Sequence, residues 1–383
     1  MSAQLEARPG VPTSGRPDVA PRRPLITALT GLRAVAAVWV VLFHYRSDVL
    51  ALAPSLRPLA PIMDAGYLGV DVFFALSGFV LAYNYAESMG HWDARATRGF
   101  LRNRLARVWP VHVVTLNLDL LQAALIGTLG VTAGGHRRTV SAYVENLTLT
   151  HAWWNDRPSF NAPAWSISAE WAAYLAAPVL FVALARLRRR AAVALLATGL
   201  YAVMLTIFAL WALPNGNVPH AGMLRLATEF GAGLLMWRVY RSRPRWLGRL
   251  TLPLAAAVTL VVLLVPAARH GYWLAPALGL LVLCLALDAG PLARVLSSRP
   301  FVFWGEVSYS LYMTHVLLAP SLHALLPVHL YDQSGWPQRT LVLATYAGLL
   351  GLAAVAMHRI VEVPARRLLR TRRRAGAPEA AAP

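Results

Sequence analysis

Residues 29–45 read LTGLRAVAAVWVVLFHY, an apolar run interrupted by Arg33 near one end and His44 near the other. The run is as long as a membrane crossing requires, so its reading as a span or as a core helix decides the fold. Eleven positions separate the two polar residues, which is close to three full helical turns. Arg33 and His44 therefore share a face, roughly 16 Å apart along the axis. Ionisable side chains inside spans are costly and face a bundle interior or a wet cavity. Alternatively, Arg33 snorkels to the headgroups and His44 merely caps the far helix end.

Composition places this run in lipid. The 383-residue chain is 57% hydrophobic, and its mean hydropathy is +0.50. Those values imply an all-α, polytopic integral membrane protein. About twenty apolar residues make a span, and ten candidates lie near 27–45, 66–86, 109–130, 165–185, 191–213, 222–240, 250–267, 271–289, 301–323 and 340–361. The net charge is +19, and all 36 basic residues are arginine. They form short clusters between apolar runs, the pattern of membrane topology rather than of a nucleic-acid partner. Connections after the second, fourth, sixth and eighth spans hold sixteen of them: five over Arg95 to Arg107, four over Arg186 to Arg190, five over Arg238 to Arg249, and Arg294 with Arg299. Opposite connections hold only Arg46, Arg57, Arg137, Arg138, Arg157, Arg269 and Arg339. The positive-inside rule then puts both termini in the cytoplasm of an inner-membrane protein. The expected organisation is a disordered tail over 1–24, a transmembrane domain over 25–363 and a basic tail over 364–383.

Three further stretches carry polar groups into this apolar background. WSISAEWAAY opens the fourth span with Ser168, Glu170 and Tyr174, the last two on one face. GEVSYSLYMTH in the ninth span puts Ser308, Tyr312 and His315 on one face at i, i+4 and i+7. A carboxylate in lipid needs a partner, and His44, Glu170 and His315 are expected to meet at similar depth. FLRNRLARVWP places Arg104 and Arg107 just before the third span. Guanidinium groups on that side suit a phosphorylated donor such as acyl-CoA. A histidine then takes a proton from an acceptor hydroxyl, and Glu170 supports it.

These residues resemble acyltransferase family 3, the bacterial membrane-bound O-acyltransferases. The matching elements are R-x10-H at Arg33 and His44, GYLGVDVFFALSGF with Asp71, and R-x-x-R at Arg104 and Arg107. S-x-E-x-x-x-Y at Ser168, Glu170 and Tyr174, SYSLYMTH ending at His315, and VEVP with Glu362 follow in order. The resemblance covers nearly the whole chain. It implies acyl transfer from acyl-CoA to a carbohydrate or another hydroxyl compound, with His44 as catalytic candidate and the arginines as donor-binding candidates. It also implies the stand-alone form without a C-terminal esterase-like domain, similar to enzymes acting on lipopolysaccharide sugars, exported oligosaccharides or macrolides.

Catalytic residues are thus expected at His44, Glu170 and His315, donor contacts at Arg33, Arg104 and Arg107, and support at Asp71, Ser168, Tyr174, Ser308 and Tyr312. A covalent acyl-enzyme on Ser168 or His44 is the alternative mechanism. Arg225 and Glu229, four apart, are read as neutralising one another. His112, His151, His323 and His358 are read as satisfied or solvated, without matching partners, and Glu362 with Pro364 as the end of the last helix. No metal and no tightly bound cofactor are expected. The chain has no G-x-x-x-x-G-K-[ST] loop, no H-E-x-x-H site and no G-x-S-x-G turn, and Cys284 is its single cysteine. A secondary transporter, with the same polar residues lining a path, is the rival reading.

Overall fold

A computed structural model describes residues 24–128, 138–154, 158–211, 219–265 and 272–369. The expected 1–24 tail lies outside these residues except for Pro24, as do Arg137, Arg157 and Arg269.

Helices fall at all ten expected places. They are α1 (Thr27–His44), α2 (Gly69–Tyr85), α3 (Ala94–Thr128), α4 (Trp165–Arg186) and α5 (Arg190–Trp211). The second half holds α6 (Pro219–Arg241), α7 (Thr251–Leu264), α8 (Ala275–Leu287), α9 (Arg299–Leu325) and α10 (Trp336–Met357). Among the described residues seven helical stretches are long and apolar enough to cross a membrane, while α7 and α8 are apolar but shorter. The protein is an all-helical, polytopic membrane protein. Its outward-facing side chains are apolar, with Leu195, Leu210, Leu264 and Leu352 exposed where lipid tails would replace water.

Backbones approach closely where side chains are small, because packing rather than hydrophobic exclusion holds helices together in lipid. Gly78 of α2 lies against the Phe230 carbonyl of α6, and Gly233 of α6 against Ala75 of α2. A methyl group at either position would collide with backbone, so this crossing depends on both glycines. Helix α1 packs on α9 in the same manner, with Gly305 against Thr30. These contacts pair α2 with α6 and α1 with α9.

Polar contacts tie opposite ends of the bundle. At one end Tyr83 donates to the Pro24 carbonyl (2.9 Å), Thr27 to Ser297 (2.9 Å) and Arg102 to the Leu369 carbonyl (2.9 Å). At the other, His323 meets Asp48 at 3.0 Å and Gln122 donates to Ser321 at 2.8 Å.

Two boundaries differ from the sequence expectation. Helix α3 begins at Ala94, so Arg104 and Arg107 lie within a continuous helix rather than before it. Asp93 accepts the backbone N–H groups of Ala96 (3.2 Å) and Arg95 (2.7 Å), which holds its carboxyl below the ordinary range and marks the start of α3. Glu362 and Pro364 do not end the last helix. A π-helical turn, His358–Glu362, carries α10 into a final segment, Val363–Leu369. The wider turn swings Glu362 inward, where it is 1% exposed.

Candidate active site

A cavity of about 130 Å³ opens between α1, α2, α3, α4 and α9. Three arginines, Arg33, Arg104 and Arg107, and one acid, Glu170, line it. Tyr174 joins them because it stands one turn beyond Glu170 on α4, and Ser308 and Tyr312 because they stand one turn apart on α9. Glu170 accepts a 2.5 Å hydrogen bond from Ser77 of α2. The Arg104 guanidinium lies over the rings of Tyr85 (5.7 Å) and Tyr174 (5.9 Å), and its Nε is buried without a hydrogen-bond partner. Burial of that kind is costly for a guanidinium unless a ligand completes it.

Arg107 is held differently. It pairs with the buried carboxylate of Glu362, which also accepts from Ser310 (2.8 Å) and His358 (3.0 Å). Its guanidinium lies over the Tyr309 ring at 5.6 Å. Among the cavity's arginines, Arg107 therefore has an internal counter-charge, and an ion pair broken at this depth would leave an uncompensated charge.

His44 and His315 meet, as expected from their depths. The Nε2 of His315 is 3.2 Å from Nδ1 of His44, and the ring centroids are 4.8 Å apart. The network assigns the tautomers. His315 Nδ1 faces the Tyr312 carbonyl at 2.6 Å, and only an N–H can bond there, so neutral His315 presents a lone pair at Nε2. His44 Nδ1 faces that lone pair and the Val40 carbonyl (2.9 Å), so it carries the hydrogen. The bare nitrogen of His44 is then Nε2, on an exposed ring at the end of α1. His315 is fully buried and further fixed through its own carbonyl, which accepts from Tyr45 (2.7 Å).

Glu170 does not join this pair. It bonds Ser77 in the arginine cavity, whose lining includes neither histidine. Tyr312 connects the two parts: its side chain lines the cavity and its carbonyl holds His315. The Tyr312 hydroxyl is fixed by Ser166 (2.8 Å) and the Pro163 carbonyl (3.0 Å). Ser308 donates to the Gly305 carbonyl (2.8 Å).

Two supporting residues stand apart from the cavity. Ser168 is two positions from Glu170 and so faces the other side of α4. It donates to the Leu149 carbonyl (2.8 Å) and accepts from the Ala152 N–H (3.1 Å), where it fastens a loop and touches no cavity atom. Asp71 forms a forked pair with Arg225 (3.1 and 2.6 Å), buried with Tyr272 4.5 Å from the guanidinium. Arg225 is thus neutralised by Asp71 of another helix, and Glu229 lies fully buried one turn away beside the Asp71 carboxylate, with neither oxygen bonded to an N–H or hydroxyl donor. The reading of Arg225 and Glu229 as mutual partners is corrected, because a forked geometry with Asp71 satisfies the guanidinium better than an i, i+4 contact.

The histidines read as satisfied or solvated have close neighbours. His112 bonds the Asn146 carbonyl (2.9 Å) and stacks on His151, while His323 and His358 meet Asp48 and Glu362. Ser77, Ser166 and Tyr309 were not singled out from sequence. Ser77 falls at helical spacing from Phe73 and Phe74, a signal that is weak for a small hydroxyl residue. Among the described residues no cluster of three or more histidine, cysteine, aspartate or glutamate side chains could hold a metal.

Fold and site together define a polytopic membrane protein with a charged interior cavity and a histidine pair beside it. The chain belongs to acyltransferase family 3, whose model, described as an acyltransferase domain, matches residues 26–358. It is 29% identical to the acyltransferase MdmB of Streptomyces mycarofaciens, over 92% of this chain and 95% of that protein. A Staphylococcus aureus (strain COL) protein, provisionally named an O-acetyltransferase, is 22% identical over 80% of this chain and 53% of its own length. The chain therefore spans about half of that relative. No solved structure matches it. Membership makes the protein a membrane O-acyltransferase and favours an enzyme over a transporter.

Proposed function

We propose that the protein moves an acyl group from acyl-CoA to a hydroxyl of a carbohydrate, glycoside or macrolide-type acceptor. One observation carries the reading: the histidine network leaves Nε2 of His44 bare on an exposed ring while its Nδ1–H is fixed from behind. A base so oriented takes the acceptor's hydroxyl proton as the oxygen attacks the thioester carbon. The carbon–sulfur bond breaks, and the departing thiolate takes a proton, so the transfer is proton-neutral overall. His315 holds the imidazolium through its Nε2 lone pair, the positioning role first given to Glu170.

Arg33 and Arg104 hold the anionic donor, and the buried Nε of Arg104 supports this because it lacks an internal partner. Arg107, bound to Glu362, shapes the cavity more than it binds. Glu170 orients Ser77 and Tyr174 there. Ser168 serves the loop it fastens, which favours direct transfer over an acyl-Ser168 intermediate. The arginine distribution supports an inner-membrane orientation with both termini cytoplasmic and the donor entering from that side.

Release of free CoA from acetyl- and propionyl-CoA by purified protein, with a panel of sugar and macrolide acceptors, tests the reading. Turnover is expected to require an acceptor and to vanish in His44→Ala. Undiminished turnover in that variant would remove His44 from the chemistry.

A further inference from the structure

Two further cavities, lined by neither histidine of the pair, lie among α4, α5 and α6. The first, of about 410 Å³, is walled by Arg188, Arg190, Arg238 and Arg241, and no acidic side chain lines it. The second is an apolar groove of about 550 Å³ between α4, α5 and α6. They are continuous on all three walls. Leu187 lines the groove and Arg188 the pocket; Leu196 lies one turn from Val193 on α5; Leu235 lies one turn from Arg238 on α6. Arg238 also donates to the Leu187 carbonyl at 2.5 Å, which fixes the junction.

Dimensions and charge agree on one occupant. Along α6 the groove runs from Met223 to Leu235, twelve residues or about 18 Å. Half of a hydrocarbon core of about 30 Å is about 15 Å, so the groove matches one leaflet. Four guanidinium groups stand at the end of the groove, where that leaflet's headgroups would lie, and Glu87 is 3.3 Å from a half-exposed Arg241. Plain topological anchoring needs arginines near the surface but no groove beneath them.

We propose that this pocket and groove form a binding site for an anionic phospholipid, its phosphate held by the arginines and one acyl chain laid between α4, α5 and α6. The site is separate from the proposed catalytic residues and does not depend on their roles.

The test uses the full chain in neutral detergent, with native mass spectrometry and thermal unfolding. Dioleoyl phosphatidylglycerol is compared with dioleoyl phosphatidylcholine, inorganic phosphate and free CoA. Phosphatidylglycerol is expected to remain bound and raise the melting temperature, with phosphatidylcholine much weaker. The double variant Arg188→Gln with Arg190→Gln is expected to lose roughly 30-fold in that affinity, the effect of two surface arginines. Arg95→Gln with Arg98→Gln, an arginine pair outside the pocket, is expected to bind as the wild type does. Equal binding of both lipids, equal affinity in the Arg188/Arg190 variant, or displacement of the lipid by phosphate or CoA would overturn the proposal. Displacement would assign the arginines to a soluble anion instead.

Discussion

His315→Ala removes the acceptor behind His44 and separates a positioned base from a merely nearby one. In the wild type, His44 Nδ1 has two acceptors, His315 Nε2 at 3.2 Å and the Val40 carbonyl at 2.9 Å. The variant keeps the second, so His44 retains its tautomer but loses one hydrogen bond. That bond matters most when His44 is an imidazolium, since a hydrogen bond to a charged group contributes about 1.5–3 kcal/mol. At about 1.4 kcal/mol per decade, the loss is roughly 10- to 150-fold in kcat. The donor KM should stay nearly unchanged, because the arginine cavity is untouched. His315→Gln, which places an amide oxygen near the former Nε2, is expected to recover part of the loss. Steady-state thiol release under saturating donor and acceptor, with thermal unfolding as a control, reads the effect. A kcat within about threefold of wild type, or a fall confined to KM, would refute the argument that His315 positions His44.

Other perturbations separate binding from support. Arg104→Ala is expected to raise the acyl-CoA KM by about tenfold or more with a smaller change in kcat, the loss of one charge-assisted contact, read by donor titration. Glu362→Ala leaves Arg107 buried without its counter-charge and should cost about 3–5 kcal/mol, visible as a lower melting temperature in detergent. Glu362→Gln should retain part of that stability through its amide oxygen. Ser168→Ala is expected to destabilise by about 1–3 kcal/mol while the folded fraction keeps its kcat, since the hydroxyl fastens the loop at Leu149 and Ala152. Complete loss of turnover in well-folded Ser168→Ala protein would restore the acyl-enzyme on that serine.

Several ionisable groups in the bundle are organised as separate, locally partnered units. Asp71 holds Arg225, Glu362 holds Arg107, and Ser77 bonds Glu170. Local pairing is what a low dielectric demands, because a charge left alone there costs several kcal/mol. Arg104, with its unbonded Nε, and Glu229, with neither oxygen bonded to a donor, depart from the pattern, and only Arg104 lines the cavity, in keeping with its proposed contact to the donor.

The order of helices was legible in the amino-acid sequence because a lipid-spanning segment needs only length and apolarity, both local properties. Arg33 and His44 on one face of α1, and Ser308 with Tyr312 on one face of α9, followed from helical periodicity alone. Depth along the helices also brought His44 and His315 together. Partner choice was not legible, because it depends on how helices rotate about their axes. Rotation of α4 turned Glu170 to Ser77 and Ser168 to the Leu149 loop, although both occupy one short motif. Close approach at Gly78 and Gly233 brought α2 against α6 and gave Asp71 to Arg225 in place of Glu229. The π-helical turn at His358–Glu362 carried an acid read as a helix stop into the interior beside Arg107. Sequence by itself determined where the apolar helices fall and which polar residues they carry; tertiary packing alone decided which of those residues face one another.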